Sequence, residues 1–329
     1  MHKKEKILVI ITSIVCVLSL AGIGGYFLFI KKDKKSEETI SAKVEKKEEE
    51  KSESWIKSPT MLFKDTTSTC TLKLDDGTYR MYMMGEGGIL YADSPDGKTF
   101  GAKAPTGIQQ TPGKMISNPS VLKVTNTEWI MVYEEQPQKG PGGSSDGSPS
   151  AKNQRNLYLA VSIDGKTFTK AGIAIDSAKE DNFFASVPEL VKVSDNKIRM
   201  YYVSGGEAVS SAISEDKGKT WTKEAGYRLS DRAVDPEVLY GDGKWTMYYA
   251  TLPNPESGSR NAIYRATSTD GLIWTKDNIK LIEPKNEMGF VVDPDVIKLG
   301  GTYRMFFGES TGDIGAPGAI SLYSADRVK

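Results

Sequence analysis

The chain has 329 residues, 43 basic and 43 acidic side chains, and one histidine, His2. Its near-neutral charge lacks the basic excess that nucleic-acid binding needs, so we expect no nucleic-acid partner. With His2 at the N-terminus and only Cys16 and Cys70 as cysteines, residues 55–329 cannot form a Ser-His-Asp or Cys-His catalytic unit, a zinc cluster or an internal disulfide; we predict no metal site and no cofactor.

The first predicted element is a membrane anchor. Residues 7–30 are 24 consecutive positions without a charge, longer than the roughly 20 residues that a helix needs to cross a bilayer. A cleaved signal peptide is the alternative, but its apolar core would be shorter and no Ala-x-Ala cleavage site is present. We therefore predict a cytoplasmic tail at 1–6, a single-pass transmembrane helix at 7–30, and an extracellular remainder.

A charged stalk follows at residues 31–54. It consists mainly of Lys, Glu and Ser, a composition typical of solvated, disordered segments. Removing the eleven lysines and nine acids of residues 1–54 leaves 32 basic and 34 acidic residues in 55–329. The folded part of the chain is therefore also close to neutral.

Residues 55–329 repeat one pattern five times. A copy contains a motif such as D-P-E-V-L-Y at 235–240, an aromatic segment such as W-T-M-Y-Y at 245–249, and in four copies a turn motif such as S-T-D-G-L-I-W at 268–274. Each copy has four short runs rich in β-branched and aromatic residues, separated by Gly, Asp and Asn. In the second copy these strands are predicted at 121–124, 129–133, 157–161 and 168–170. Five repeats of four antiparallel strands predict an all-β fold, a five-bladed β-propeller.

The fifth copy ends after its third strand, at 320–323. We predict that residues 55–57 supply the missing outer strand, because Trp-Ile-Lys there resembles the Trp-Thr-Lys segments at 221–223 and 274–276. This pairing would remove the open edge between the first and last blades. We expect the closed propeller, at 55–329, to be a monomer.

The turn motif S-E-D-K-G-K-T-W at 214–221 matches the Asp-box of sialidases. In that turn the Asp side chain accepts hydrogen bonds from nearby backbone N–H groups, Gly adopts positive φ, and the aromatic residue packs between blades. We interpret the motif as structural. A sialidase is disfavoured, because those enzymes have six blades, an arginine cluster and a Tyr nucleophile.

Candidate catalytic groups are carboxylates at the starts of the innermost strands. Without histidine, glycoside hydrolysis is the main reaction class that a pair of carboxyl groups can carry out alone. The D-P-E and D-P-D motifs at 235–237 and 293–295 begin neighbouring inner strands that converge on the propeller axis, so Asp235 and Asp293 should approach each other. Alternatively, Asp before Pro merely caps the strand entry. The candidate catalytic residues are Asp235, Asp293, Glu189 and Glu237, either glutamate being the proton donor.

The same face should carry polar groups that bind a substrate. The candidates are Asp65, Asn118, Glu134, Arg155, Arg260, Asp295 and Glu309. The Gly- and Ser-rich insert at 137–153 is either a lid over this face or a loop without a role.

The Asp-Pro motifs and the repeated turns together resemble the five-bladed propeller glycosidases of the arabinanase, β-xylosidase, levansucrase and invertase superfamily. The resemblance implies three acids in a central funnel. Asp235 resembles the assisting Asp, and Asp293 occupies the equivalent position in the last blade. Ser68-Thr69 replaces the first-blade Asp-Pro, and Ser186 stands where the proton-donating Glu is expected.

Two functions are consistent with this sequence. One is a membrane-anchored extracellular glycoside hydrolase acting on an oligo- or polysaccharide. The other is a non-catalytic glycan-binding or scaffold propeller on the cell surface.

Overall fold

The structure is a computed structural model and describes residues 53–138, 153–254, 256, 258, 260–287, 289–310 and 320–328. The predicted tail, the anchor at 7–30, nearly all of the stalk and most of the insert at 137–153 lie outside these residues. Within the described part, no helix has both the length and the apolar character needed to cross a bilayer. The described propeller begins at Glu53, whose carboxylate forms an ion pair with Arg265.

The described residues form five antiparallel sheets of four strands, which confirms the predicted five-bladed propeller. Blade five takes its outer strand from the start of the domain, and a one-turn helix precedes blade three. The elements are β1 (Trp55–Lys57), β2 (Cys70–Lys73), β3 (Tyr79–Gly85), β4 (Gly88–Ser94), β5 (Ala104–Gln109), β6 (Lys114–Lys123), β7 (Trp129–Pro137), β8 (Asn156–Ser162), β9 (Thr169–Ile175), α1 (Ser177–Glu180), β10 (Ala185–Lys192), β11 (Ile198–Ser204), β12 (Ala208–Ser214), β13 (Thr222–Leu229), β14 (Ala233–Gly241), β15 (Lys244–Thr251), β16 (Ile263–Ser268), β17 (Thr275–Lys276), β18 (Phe290–Leu299), β19 (Thr302–Ser310) and β20 (Ile320–Arg327).

The ring is closed as predicted. Strand β1 pairs antiparallel with β20, with Trp55 opposite Arg327. Just beyond this ladder, the backbone N–H of Val328 donates to the carbonyl oxygen of Ser54 at 2.8 Å. The two ends of the domain are therefore neighbours in one blade, and β1 covers the edge of β20 that would otherwise be unpaired.

The inner strands of blades two to five each continue through a proline, and that of blade two is longer than predicted. Strand β6 begins at Lys114, seven residues before the predicted start, and Pro119 lies inside it. The ladder with β7 is interrupted by a register shift between Ser117 and Ser120. Proline is tolerated here because the inner strand is an edge strand and the bulge needs no N–H at that position.

Aromatic residues that follow the repeated turns pack between blades. Phe168 of blade two contacts Tyr82 of blade one edge-to-face, with ring centroids 5.9 Å apart. Trp274 of blade four contacts Tyr201 of blade three in the same way, at 5.8 Å. Such pairs add to the hydrophobic contribution of their burial, so the cores lie between the sheets rather than at the axis.

The turn motif has the structural role predicted for it. In blade two, the Asp164 carboxylate accepts backbone N–H groups from Lys166 and Thr167 at 2.7 and 2.9 Å. The N–H of Gly165 donates to the Ser162 hydroxyl at 3.0 Å. The other three copies show the same bonds, accepted by Asp96, Asp216 and Asp270.

Candidate active site

Five residues form an upper ring around the propeller axis, one from each inner strand. All five adopt left-handed backbone angles, with φ between 47° and 55°. This conformation is unusual for residues other than Gly, Asn and Asp, and in blades two to five it coincides with a register shift of the inner strand at its proline. The upper ring consists of Ser68, Asn118, Val187, Asp235 and Asp293.

A lower ring lies two residues further along each inner strand. Its members are Cys70, Ser120, Glu189, Glu237 and Asp295. Each side chain accepts a hydrogen bond from the backbone N–H of the residue that follows the ring member in the next blade. The donor–acceptor pairs are Val121–Cys70 at 3.3 Å, Leu190–Ser120 at 2.9 Å, Val238–Glu189, Val296–Glu237 at 3.0 Å and Thr71–Asp295 at 3.1 Å.

These five bonds connect all the blades in one closed circle at the axis. The predicted proton donors Glu189 and Glu237 belong to this circle, and so does the predicted substrate-binding residue Asp295. Only a cavity of about 20 Å³ separates the two rings, room for about one water molecule. The lower ring therefore joins the blades beneath the upper ring, next to a cavity that is too small for a sugar.

Burial governs the acids of the lower ring. It raises the pKa of Glu189 to about 8, assisted by the charge of Asp295. Burial, with the charges of Glu189 and Asp295, also raises the pKa of Glu237 well above its usual range. The pKa of Asp295 is raised by burial as well, although hydrogen bonds from Thr71 oppose the shift. These groups favour the protonated form, as expected for carboxyls removed from water and close to one another.

The upper ring brings Asp235 and Asp293 together from neighbouring blades, as predicted. The backbone N–H of Asp293 donates to Oδ2 of Asp235 at 3.3 Å. Burial, reinforced by the charge of Asp293, raises the pKa of Asp235 well above the usual value. Burial also raises the pKa of Asp293, but three hydrogen bonds counteract it.

Those three bonds come from blade one. The Thr67 hydroxyl, the Ser68 hydroxyl and the Ser68 N–H donate to Oδ2 of Asp293 at 2.7, 2.9 and 3.1 Å. Hydrogen bonds to a carboxylate favour its ionised form. Asp293 is thus the better stabilised anion of the pair, and Asp235 is the better proton carrier.

A third carboxylate, that of Glu134, lies behind the funnel wall and is fully buried. Its Oε1 accepts from Nη1 of Arg155 at 3.2 Å, and its other oxygen accepts from Asn118 and from the hydroxyl of Ser186. Ser186 is the residue that stands where the resemblance expects a glutamate, so this position meets a carboxylate supplied by blade two. Glu134 holds Arg155 and Asn118 in place.

The two aspartates lie at the base of a funnel cavity of about 310 Å³. Ligand cavities in proteins usually measure about 300–1,000 Å³, so this volume suits a small ligand or one sugar residue. Arg155 crosses one wall, with its guanidinium 4.5 Å from the centre of the Phe184 ring. The polar side chains of the wall are Asn118, Arg155, Ser186 and Asn261.

The remaining predicted residues lie away from this cavity. Asp65 is exposed beside Lys64, and Arg260 pairs with Glu287 on the surface at 3.8 Å. Glu309 is buried, but it binds the ammonium group of Lys57 at 2.6 Å, on the outer strand of blade five. Their positions near strand ends could be predicted from the sequence, but the directions of their side chains, which do not line the funnel, could not.

Among the residues that the structure describes, no group of three or more His, Cys, Asp and Glu side chains is arranged to hold a metal ion. The polar side chains that line the funnel carry carboxyl, guanidinium, amide and hydroxyl groups.

Comparison with known proteins gives structural matches only. Neither a protein-family model nor a curated protein sequence matches the chain. A glycosyl hydrolase from Bacteroides ovatus superposes with a TM-score of 0.58 at 16% identity, over 81% of this chain and 84% of that chain. A GH43 β-1,3-galactosidase solved with galactodeoxynojirimycin gives 0.61 at 13% identity, over 83% and 95%. An exo-1,5-α-L-arabinanase from a bovine ruminal metagenomic library gives 0.58 at 12%, over 82% and 95%.

These neighbours are glycoside hydrolases with the propeller fold. The similarity establishes the fold of this chain and agrees with the resemblance expected from its Asp-Pro and turn motifs.

Proposed function

We propose that this protein is a glycoside hydrolase that cleaves an oligo- or polysaccharide in the funnel of its propeller. The observation that carries the proposal is the pairing of Asp235 and Asp293 at the base of one cavity, in environments that separate their proton affinities. Glycosidases need one carboxyl group protonated and one ionised. The activity of the structural neighbours supports the same reaction class.

In this proposal Asp235 is the general acid. Burial raises the pKa of its carboxyl group well above the usual value, and the protonated group transfers its proton to the oxygen of the departing sugar. Asp293, whose carboxylate accepts hydrogen bonds from Thr67 and Ser68, stabilises the positive charge that develops at the anomeric carbon and takes a proton from the water molecule that attacks this carbon. Arg155 and Asn118, oriented by Glu134, bind sugar hydroxyl groups. The proton-donor role expected for Glu189 or Glu237 passes to Asp235, because those glutamates lie in the ring below.

We also propose that residues 7–30 anchor the protein in the cell membrane and that the propeller lies outside the cell. The support is the uncharged run of 24 residues, followed by a charged segment with few apolar residues to bury. An extracellular position would give the funnel access to polysaccharides.

The first test is hydrolysis by carboxamide variants. We expect Asp293→Asn and Asp235→Asn each to lower kcat about 10²- to 10⁴-fold, because each removes one half of the acid–base pair. A panel of aryl glycosides and polysaccharides would identify a substrate before the variants are compared. Asp65→Asn, an exposed aspartate outside the funnel, is the matched control and should retain full activity. Unchanged turnover in Asp293→Asn would remove the catalytic assignment.

A glycan-binding propeller without hydrolysis is the second candidate. It is favoured by the inter-blade bonds that Asp235 and Asp293 accept, since the same pattern is purely structural in the lower ring. Binding on a glycan array, with no product released at high protein concentration, would select this function over hydrolysis.

A further inference from the structure

A second large cavity lies on the face opposite the funnel. It measures about 590 Å³ and is formed by the hairpins that join the first two strands of blades four and five. Asp235 and Tyr240 lie on the same strand, β14, with Asp235 at its funnel end and Tyr240 near the hairpin. Five residues of extended strand span about 17 Å, so this second cavity is separate from the candidate active site.

Tyr240 breaks the repeat at this cavity. The equivalent position is lysine in the other four blades: Lys73, Lys123, Lys192 and Lys298. In blades one and two the lysine ammonium lies over the aromatic ring of the residue opposite, at 5.8 and 5.6 Å. Blade four instead stacks Tyr240 on Trp245, with ring centroids 4.2 Å apart and planes 26° from parallel.

This stack makes a rigid aromatic platform at the cavity. Trp245 is buried beneath Tyr240, whereas Tyr240 is 45% exposed and lines the cavity. The hairpin that carries it turns tightly through Asp242 and Gly243, both with positive φ, as in a two-residue type I′ turn. A large aromatic ring exposed on a short, tight hairpin is typical of a contact surface rather than of packing.

The cavity is also positively charged. Four cationic side chains line it, and two carboxylates, Glu53 and Asp242, oppose them. The cationic residues are Lys244, Arg265, Lys298 and Arg327. Glu53 forms an ion pair with Arg265. The remaining three cations and Asp242 give the cavity lining a net charge of about two positive units. There the Arg327 guanidinium lies 4.4 Å from the centre of the Tyr303 ring, held beside the platform.

We propose that this cavity is a second carbohydrate-binding site and that its ligand is an anionic saccharide. The aromatic platform of Tyr240 packs against the apolar face of a sugar ring, and Lys298 and Arg327 bind a carboxylate or phosphate group on that sugar. Charge-assisted hydrogen bonds of this kind are stronger than neutral ones. The site holds a polymer at a distance from the funnel and is independent of hydrolysis.

The test is calorimetric titration of the full-length protein with two probes, trigalacturonic acid for the carboxylate and glucose 6-phosphate for the phosphate. We expect at least one to bind, with affinity falling as salt rises. Tyr240→Lys restores the residue of the other four blades and should therefore fold; it should weaken binding about tenfold, the loss expected when a central aromatic contact is removed. Lys298→Gln should weaken it as well.

Three controls make the outcome decisive. Tyr227→Lys changes an exposed tyrosine of blade three in the same way and should leave binding unchanged. The methyl ester of trigalacturonic acid keeps the sugar rings but loses the charge, and should bind more weakly. Asp293→Asn should leave binding intact, which separates this site from the funnel. Failure of both probes to bind, or equal binding by Tyr240→Lys, overturns the proposal.

Discussion

At the scale of single residues, burial raises the pKa of both upper-ring aspartates, and the hydrogen bonds that each receives oppose this rise to different degrees. Asp293 accepts three from blade one, whereas Asp235 accepts one backbone N–H. The same chemical group therefore meets two environments: hydrogen bonds oppose the rise in the pKa of Asp293 more than they oppose it at Asp235. Burial and neighbouring acids also raise the pKa of the two glutamates below them.

Glu189 provides a residue-scale prediction for stability. Its pKa rises from an ordinary value near 4.5 to about 8 on folding, so the native state binds the proton more tightly than the unfolded state. This contribution is full below about pH 4.5 and declines as pH rises towards 8, by up to about 1.4 kcal/mol per pH unit. Glu189→Gln keeps a hydrogen-bond acceptor without a charge. We expect it to flatten the stability profile in this window and to be more stable than the wild type at pH 8.

Urea unfolding at pH 5 to 8 measures this effect. Glu86→Gln alters an exposed glutamate and should reproduce the wild-type profile. Equal pH slopes for Glu189→Gln and the wild type would mean that Glu189 is ionised in the native protein.

The sequence predicted part of this site. Asp235 and Asp293 were found because the Asp-Pro motif repeats and inner strands converge. The lower ring was missed, although its signal is present: an acceptor atom occurs at Cys70 and at all four equivalent positions. The contact of Glu134 with Ser186 could not be predicted, since it joins residues 52 positions apart in different blades.

At the scale of elements, the two ends of each inner strand lie on opposite faces of the propeller. Its start carries an upper-ring residue, and its far end carries the hairpin that faces away from the funnel. The sequence pattern predicted the existence and order of these strands but shortened the inner strand of blade two, which was predicted at 121–124 and begins at Lys114. The bulge that accommodates Pro119 depends on the absence of a pairing partner on the inner side, which is a tertiary property.

Strand β1 supports an element-scale prediction. Trp55 is buried and meets Tyr248 edge-to-face at 5.8 Å, while its neighbour Ile56 is 67% exposed. We expect Trp55→Ala to destabilise the propeller by about 3–5 kcal/mol, from lost burial and the resulting cavity. Ile56→Ala, in the same strand, should change stability by less than about 0.5 kcal/mol. Denaturant unfolding compares the two; similar losses would mean that Trp55 contributes little to the closure of blade five.

At the scale of the whole molecule, the ring is held by one blade assembled from both ends of the domain. The pairing of β1 with β20 was predictable because the Trp-Ile-Lys segment copies an outer strand found elsewhere in the chain. The closed circle of lower-ring bonds was not predictable in the same way, since it requires all five blades to be in register.

Circular permutation tests the importance of the shared blade. A short linker can join Val328 to Glu53, because Val328 already bonds to Ser54. Opening the chain at Pro112, between blades one and two, makes every blade continuous. Opening it at residues 125–127, inside the first hairpin of blade two, keeps one blade shared between the ends. We expect the first permutant to unfold at a lower urea concentration than the second, because no strand exchange closes its ring. Equal urea midpoints for the two permutants would mean that contacts between blades, rather than the shared blade, keep the ring closed.

The hydrogen bonds to Asp293 carry a consequence for biosynthesis. This aspartate lies in the last blade to leave the ribosome, and the groups that hold it, Thr67 and Ser68, lie more than 220 positions earlier in the chain. A nascent polypeptide with four finished blades contains Asp235, Thr67 and Ser68 but lacks Asp293, which contacts all three. Premature termination before the fifth repeat therefore yields a product that lacks the Asp235–Asp293 pair, however well its individual sheets have formed.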